Sequence, residues 1–354
     1  MITMCDYYGM CDADGKCVGH PVKVTREYAD MLKDMGQEIR LVCSPCIAEG
    51  VSHDGFADIN ILPYDISVVG NGIFKRIFDK FKLFRNIRIA LKNSGTIFFY
   101  QVDFFFFLFI KLFYKTDRDK KIVILIYHQD FTGGKLEGIL RKIYESALNK
   151  IDGVIYTARE TVVPHTNSAW MPDFIYNEPE YEKYRLAKKN DRVVCLGTMS
   201  RYKQIEKLID VWRTTESLPP LIIAGRFDSE DRYKSLCEDL PENVTVRDEV
   251  LSYEEYMMLL SESEYSILPY DMDQYKNRTS GVLLESIYCG VIPVAPEGLL
   301  SHNTLPGLGY DDISDVVQIF NENDPDGIRA SFEEIYTDYG TDRAKEVLRR
   351  MLCA

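Results

Sequence analysis

A short polar stretch late in the chain combines residue types suited to binding a phosphate group. Arg278, Thr279, Ser280 and Gly281 lie between an apolar strand and the start of a helix. A helix leaves its first backbone N–H groups unpaired, and its dipole is positive at that end, so an anion is favoured there. The pattern over residues 266–296 therefore predicts a strand, loop, helix and strand with an anion site at the start of the helix.

Glu285 lies one turn inside this helix, among residues that are otherwise apolar. A carboxylate in such a place is costly unless hydrogen-bond donors reach it. If Ser280 is the N-cap, Glu285 lies two positions beyond the glutamate of a capping box. Because open α/β sheets bind ligands at strand-to-helix junctions, Glu285 is predicted to bind a ligand. The alternative is a structural carboxylate with its own hydrogen-bond donors.

A second cationic loop runs from Gly197 to Lys203, between a strand at 192–196 and a helix at 205–212. A lysine placed just before a helix is physically suited to hold a phosphate group, and Arg201 adds a second positive charge. The alternative for Lys203 is a solvated loop lysine.

The elements around these loops alternate between strand and helix along the whole chain. A strand at 1–7, a helix at 22–35 and strands at 39–43 and 121–127 begin the pattern, which resumes after residue 190. Such alternation predicts an α/β protein with doubly wound parallel sheets. A chain of 354 residues suits two domains.

The residues from Glu285 to Val294 resemble the donor-site motif E(A/S)xxxG(x)PV of glycosyltransferases with the GT-B fold, in particular the family-4-like group. Asn277 stands where that family has a second glutamate. The loop from Gly197 to Lys203 is similar to the family's G-R-L-x-x-x-K-G motif, with Thr198 in place of arginine. The resemblance implies two Rossmann-like domains facing each other across a cleft.

The resemblance also implies domain bounds. An acceptor-side domain is expected over 1–185 and a nucleotide-sugar domain over 190–325. The helices of 326–354 are expected to cross back to the first domain.

The function implied is transfer of a sugar from a UDP- or GDP-linked donor to a hydroxyl of a glycan or lipid-linked saccharide, in surface polysaccharide or glycoconjugate synthesis. Retention of configuration without a metal or other cofactor is expected. The residues implied are, for catalysis, His128, Lys203, Arg278 and Glu285; for the donor, Lys203, Arg201, Asn277, Arg278, Thr279, Ser280, Gly281 and Glu285; and, on the acceptor side, Gly15, Gly19 and His20.

Two histidines have assigned roles within this interpretation. His128 follows the strand at 121–127 and by resemblance steadies the donor sugar, with a structural histidine as the alternative. An inverting reaction would need a general base from the first domain, and His20 is the candidate.

Other interpretations of the sequence stay open. Asn277 and Thr198 would also fit a GT-B-like nucleotide-binding subunit without turnover, and a nucleotide-sugar epimerase shares the fold. The D-x-D triplets at 12–14 and 271–273 would suit a single-domain, manganese-dependent transferase. The C-x-x-C pair at 43–46 has zinc-site spacing, although packed thiols are the default.

Charge and hydropathy limit the partners. Residues 181–354 carry a net charge of −12 out of −13 for the chain, which argues against nucleic acid. Residues 73–92 form a basic amphipathic helix that either binds an anionic membrane or packs on the sheet. The apolar run at 96–114 is interrupted by polar residues and predicts a buried strand followed by a buried helix.

The amino-terminal residues lack the pattern of a signal peptide, and the chain has nine cysteines. These features predict a cytoplasmic protein, with peripheral attachment to the inner face of the cell membrane through 73–92.

Overall fold

The protein is described by a computed structural model covering residues 1–12, 14–15, 17, 21–51, 55–67, 73–127, 137–159, 163–275, 280–322 and 324–353. Its strands are β1 (Ile2–Asp6), β2 (Met10–Cys11), β3 (Ile39–Cys43), β4 (Asp58–Ile61), β5 (Ile66–Ser67), β6 (Gly95–Phe99), β7 (Lys120–Ile126), β8 (Gly153–Tyr156), β9 (Ser168–Trp170), β10 (Asn190–Leu196), β11 (Leu221–Gly225), β12 (Val244–Asp248), β13 (Ser263–Ile267), β14 (Ile292–Pro296) and β15 (Leu308–Tyr310).

The α-helices are α1 (Pro21–Asp34), α2 (Pro45–Gly50), α3 (Ile73–Ala90), α4 (Phe104–Phe113), α5 (Glu137–Leu148), α6 (Glu178–Arg185), α7 (Ile205–Thr214), α8 (Glu230–Cys237), α9 (Tyr253–Ser261), α10 (Met272–Tyr275), α11 (Gly281–Tyr288), α12 (Glu297–Asn303), α13 (Val316–Glu322), α14 (Pro325–Ala330), α15 (Phe332–Asp338) and α16 (Thr341–Leu348). A 3-10 turn at Ile313–Asp315 and a π-helical turn at Arg349–Cys353 complete the described elements.

The chain divides into two compact units. The first contains Met1–Asp173 together with Thr341–Ala354, and the second contains Phe174–Gly340. Residues 174–185 are predicted to belong to the first domain and residues 326–340 to the terminal helices, but both segments group with the second unit. The polar segment from residue 178 forms α6, which buries Tyr181 and Tyr184.

The first unit is built on a parallel sheet with the described strand order β4-β3-β1-β6-β7-β8-β9. Its central strands are buried along most of their length, as the continuous apolar runs predict for a sheet covered on both faces. The predicted strand of the 96–114 run is β6, which is buried at Ile97–Phe99. The helix that follows, α4, buries Phe106, Phe107, Phe109 and Ile110.

The second unit has a parallel sheet of order β12-β11-β10-β13-β14-β15. Counted from β10, this is the order 3-2-1-4-5-6 of the Rossmann fold, and the first unit begins with the same order when counted from β1. Strand order reverses between β10 and β13, and the connections at the carboxyl ends of these two strands diverge there. That point is where open α/β sheets bind their ligands.

Helix α11 begins where the sequence predicts and ends at a glycine. Ser280 is its N-cap, and its hydroxyl accepts a hydrogen bond from the Leu283 amide at 3.4 Å. At the other end Gly290 adopts a left-handed conformation with φ 69°. The Gly290 and Val291 amides donate to the Ile287 and Ser286 carbonyls, both at 2.9 Å, which is a Schellman motif. This sharp stop allows β14 to begin two residues later.

None of the helices in the described ranges is both long enough and apolar enough to cross a lipid bilayer.

Candidate functional site

Two loops meet at the reversal of strand order in the second unit. One follows β10 and leads into α7, and the other follows β13 and leads towards α11. Backbone hydrogen bonds join them: the Gln204 amide donates to the Pro269 carbonyl at 2.7 Å, and the Asp271 amide donates to the Tyr202 carbonyl at 2.8 Å. The loop that carries Lys203 and the loop that leads towards α11 therefore lie side by side at the carboxyl ends of β10 and β13.

The start of the first loop is held close to β11. Gly225 ends that strand with φ 150°, and a Cβ placed on it would lie 1.9 Å from the Gly197 carbonyl oxygen. Only glycine permits this approach of the two backbones. The contact fixes the path of the chain as it leaves β10.

Lys203 is buried at this edge, with 5% of its surface exposed. Its ammonium donates a hydrogen bond to the Leu196 carbonyl at 2.6 Å and lies 5.6 Å from the centre of the Tyr270 ring. A Cβ at Gly197 would be 3.7 Å from both this ammonium and a methyl group of Val282 in the first turn of α11. The alternative of a solvated loop lysine is therefore wrong in the structure.

The electrostatic state of Lys203 follows from this burial. Burial lowers the pKa of the Lys203 ammonium, and the neighbouring Cys195 thiol opposes that shift. Within the described chain, no carboxylate forms an ion pair with Lys203. A buried cation without a counter-anion is costly, so an anion bound beside Lys203 would gain more than one bound at an exposed lysine.

Tyr270 connects Lys203 to the start of α11. Its backbone pairs with that of Lys203 in an isolated antiparallel bridge. Its hydroxyl and that of Ser280 are 3.1 Å apart, and Ser280 is buried. The Tyr270 ring also stacks on Tyr275 with a centroid separation of 3.9 Å. Tyr270 is not recognisable from the sequence, because a tyrosine after a strand carries no distinctive spacing.

An aromatic ring lies against the first residue of α11. A Cβ added to Gly281 would be 2.9 Å from the Phe174 ring. The missing side chain therefore allows Phe174 to pack against the amino end of the helix. The structure thus places Lys203, Ser280 and Gly281 in one connected group.

Glu285 lies in the next turn of α11 and is half-buried. One carboxylate oxygen accepts a hydrogen bond of 2.6 Å from the hydroxyl of Tyr256 in α9. Burial, followed by the charge of Glu285, raises the pKa of Tyr256, so this tyrosine stays a donor. Glu285 thus has one of the donors that the structural alternative requires, and its ligand-binding role stays a prediction.

Arg201 lies on the same loop as Lys203, and its side chain is exposed. Its guanidinium is 5.8 Å from the Tyr202 ring, and its backbone amide donates to Asp228 at 2.8 Å. A different arginine holds the backbone of this loop. Arg232 of α8 donates hydrogen bonds to the carbonyls of Met199 and Lys203, each at 3.0 Å.

Arg232 is itself held by an acidic partner, because its guanidinium pairs with Glu206 of α7 at 2.6 Å. The pair lowers the pKa of Glu206 and raises the pKa of Arg232. Arg232 is not recognisable from the sequence, because nothing in its neighbourhood along the chain marks it as a residue that holds the loop.

Several predicted residues lie outside the described residues: Asn277, Arg278, Thr279, His128, Gly19 and His20. Gly15 is described, and its amide donates to the Asp12 carbonyl at 3.3 Å. The acceptor-side assignments stay predictions.

The acidic triplets are used locally as turns. An oxygen of Asp12 accepts a hydrogen bond from the amide of Asp14 at 2.9 Å, and an oxygen of Asp271 accepts one from the amide of Asp273 at 3.0 Å.

In the C-x-x-C pair, both Cys43 and Cys46 are buried thiols. Burial raises the pKa of Cys43 to about 12. The described side chains contain no group of three or more metal-binding residues.

Sequence comparison assigns no relative, since no protein-family model and no curated protein matches the chain. Comparison with solved structures does find matches over its whole length. AviGT4, a glycosyltransferase involved in avilamycin A biosynthesis, is 12% identical with a TM-score of 0.54, covering 100% of this chain and 98% of its own.

Two further structures align to a similar extent. HepE of Anabaena, in complex with UDP and glucose, is 11% identical with a TM-score of 0.61, and 99% of each chain is covered. The catalytic domain of starch synthase IV from Arabidopsis thaliana, bound to ADP and acarbose, is 11% identical with a TM-score of 0.60, covering 100% of this chain and 99% of its own. Together with the strand order of both sheets, these matches show that the chain has the GT-B glycosyltransferase fold, with two Rossmann-like domains.

Proposed function

We propose that the protein transfers a sugar from a nucleotide diphosphate sugar to a hydroxyl group of a glycan or lipid-linked saccharide. The observation that carries the proposal is the buried Lys203 ammonium beside the amino end of α11, at the strand-order reversal of a Rossmann-like sheet. Among proteins of this fold, HepE was crystallised with UDP-glucose and starch synthase IV with ADP, which supports a nucleotide-linked donor.

Lys203 and the first turn of α11 would stabilise the leaving diphosphate. The Ser280 hydroxyl accepts from the Leu283 amide, so the Gly281 and Val282 amides are the ones directed at an incoming anion. Negative charge on the diphosphate grows as the bond to the sugar breaks, and fixed donors aimed at that charge accelerate the reaction. Arg278 is proposed to add a second cation.

Glu285 is proposed to accept hydrogen bonds from the ribose hydroxyls of the donor. It lies three residues after Val282, so both occupy the same side of α11. The Tyr256 hydrogen bond would then orient the carboxylate, since a fixed acceptor loses less side-chain entropy when a ligand binds.

The proposed reaction retains the configuration at the sugar carbon and uses no metal. The bond between that carbon and the diphosphate oxygen breaks, with the electron pair leaving on the diphosphate. The acceptor oxygen bonds to the same face of the carbon, and its proton passes to a donor phosphate oxygen. His128 is proposed to steady the sugar during this exchange. The product would belong to a surface polysaccharide or another glycoconjugate.

A donor-hydrolysis assay tests this function without knowledge of the acceptor. Purified protein is incubated with a panel of UDP- and GDP-linked sugars, and free sugar and nucleotide are quantified. Slow release of sugar from one donor is expected, since water replaces the missing acceptor. Tight nucleotide binding without sugar release from any donor would contradict the proposal and support a binding subunit. Conversion of a donor into its epimer would also contradict it.

A further inference from the structure

Helix α3 in the first unit exposes a row of large apolar side chains. Phe74 is 88% exposed, Phe78 64%, Phe81 67% and Ile77 52%. These residues lie three or four positions apart and so occupy one face of the helix. Apolar side chains of this size normally pack inwards, and a continuous exposed group indicates a binding surface.

The rotation of α3 is fixed by contacts on its opposite face. Leu83, Ile87 and Ala90 are fully buried in the core of the first unit. Between them the buried amide of Asn86 donates to the carbonyls of Tyr7 at 3.1 Å and Tyr64 at 2.9 Å. Turning the aromatic row inwards would break both hydrogen bonds and expose the buried residues. The aromatic face is therefore a stable feature of the unit.

The exposed row continues into a groove shared with α4. The groove has a volume of about 800 Å³, and Phe78, Phe81, Phe84, Phe109 and Phe113 contribute aromatic rings to its walls. Phe84 contacts Phe109 and Phe113 with ring-centroid distances of 5.5 Å and 5.9 Å. Because Phe113 is itself 60% exposed, the apolar surface extends across both helices.

Basic side chains border the same groove. Lys82, Arg85 and Arg88 line it, and both arginines are exposed. Arg85 is anchored by a hydrogen bond to the Tyr64 hydroxyl at 2.9 Å. Lys82 and Lys75 instead neutralise the buried Asp79, at 3.6 Å and 2.9 Å. Among the three basic side chains that line the groove, the two arginines are thus the ones not committed to Asp79, in a chain whose net charge is −13.

We propose that this aromatic and basic surface docks the protein on a bilayer of anionic phospholipid. A helix with large aromatic residues outside and basic residues beside them is suited to lie in the headgroup region. Phe74, Phe78 and Phe81 enter the upper acyl region, and Arg85 and Arg88 bind lipid phosphates, with the groove between α3 and α4 seated on the headgroups. The positive charge of this surface, on a chain that is acidic as a whole, complements an anionic bilayer. The docking proposal does not depend on the proposed sugar transfer.

Vesicle sedimentation tests the proposal directly. The full chain is mixed with vesicles of phosphatidylcholine alone or of phosphatidylcholine and phosphatidylglycerol in equal parts. Sedimentation with the anionic vesicles, weakened by high salt and much lower with the neutral ones, is expected. Equal binding to both compositions, or to neither, would overturn the proposal. Inorganic phosphate at the phospholipid concentration should not release the protein, because the bilayer and not the phosphate alone is the ligand.

Matched variants locate the surface. Arg85→Gln and Arg88→Gln should each lower the partition coefficient about fivefold, and the double change Phe78→Ser and Phe81→Ser should lower it at least about tenfold. Two control variants remove exposed side chains of the same kinds from the second unit and should leave the partition coefficient unchanged. The basic control is Lys188→Gln with Lys207→Gln, and the apolar control is Leu186→Ser with Val250→Ser. Circular dichroism checks folding.

Equal loss of vesicle binding in the control variants would overturn the assignment to α3. Self-association is the competing explanation for an exposed apolar face. A dimer in sedimentation equilibrium that is dissolved by the Phe78→Ser and Phe81→Ser changes would contradict the bilayer proposal, because a second copy would then cover the surface.

Discussion

At the scale of single residues, the proposed chemistry depends on two charged side chains in different surroundings. Lys203 is buried and donates to a backbone carbonyl, whereas Glu285 is half-buried and accepts from Tyr256. The sequence identified both because their spacing from glycines matches a known motif. It could not identify Tyr256 or Arg232, since these reach the site from helices whose packing is decided by the tertiary fold.

Glu285→Ala is predicted to weaken donor binding by more than tenfold, about 1.4 kcal/mol or more. The physical reason is loss of the acceptor for the ribose hydroxyls. Because Glu285 is only half-buried, the change to alanine should leave the protein folded. Titration calorimetry with UDP and GDP measures the effect. Tyr256→Phe is the matched control, since it removes the hydrogen bond and keeps the carboxylate, and a smaller loss is expected. Unchanged nucleotide affinity in Glu285→Ala would remove Glu285 from the site.

The buried carboxyl group of Asp6 is expected to make the free energy of unfolding of the first unit depend on pH. Burial raises its pKa to about 6, although the amides of Tyr8 and Gly9 donate to it and oppose the shift. Because the folded state binds this proton more tightly than the unfolded state, the stabilisation is complete below about pH 4 and is lost as the pH rises through about 6.

The comparison of wild type with Asp6→Asn isolates this contribution. The wild type should lose up to about 3 kcal/mol of unfolding free energy relative to the variant between pH 4 and pH 7. Urea unfolding at a series of pH values measures it. Parallel pH profiles for the two proteins would show that Asp6 does not titrate in this range.

At the scale of elements, the sequence predicted central strands of both sheets, such as β1, β3, β7 and β10, because each contains a short apolar run. The predicted bounds of β3 match the structure, and those of α1 and β7 differ by one residue at each end. The orientation of α3 was not predictable, because its most apolar row is outside. The burial of Leu83, Ile87 and Ala90, together with the two hydrogen bonds of the Asn86 amide, decides its rotation.

Helix α6 was missed for a related reason. The segment from residue 178 is strongly charged, and its buried residues are two tyrosines spaced three apart, which is too few to show a period. Stacking of Tyr176 on Tyr181 and on Tyr336 supplies the burial, and Tyr336 is far away in sequence. The polar composition alone therefore does not indicate a helix.

Gly290→Ala is predicted to destabilise the second unit by about 1–2 kcal/mol. The position has φ 69°, and its surroundings leave space for a methyl group, so the cost arises from the left-handed backbone. Gly138→Ala is the matched control, since this glycine lies in α5 with open space around it and should leave stability unchanged or higher. Urea unfolding measures both. Equal stability of Gly290→Ala and wild type would contradict the proposed role of the helix stop.

At the scale of the whole molecule, two parallel sheets that share the order 3-2-1-4-5-6 agree with the match to GT-B structures over the full chain. Alternation of strand and helix predicted this fold, and the motif residues predict an anion site at one edge of the second sheet, which stays a prediction. The unit bounds near residues 173 and 340 could not be read from composition, because the segments beside them are ordered by packing with distant residues.

The most direct test of the account is the nucleotide affinity and stability of Lys203→Met, with Lys207→Met as the control on the exposed side of α7. Lys203→Met should bind UDP or GDP at least about tenfold more weakly, because the diphosphate loses its buried cation. Its thermal stability should be equal or higher, since the described residues give this buried ammonium one backbone acceptor and no carboxylate partner. Lys207→Met should match the wild type in both measurements. Wild-type nucleotide affinity in Lys203→Met would contradict the central claim that this edge of the second unit binds the donor diphosphate.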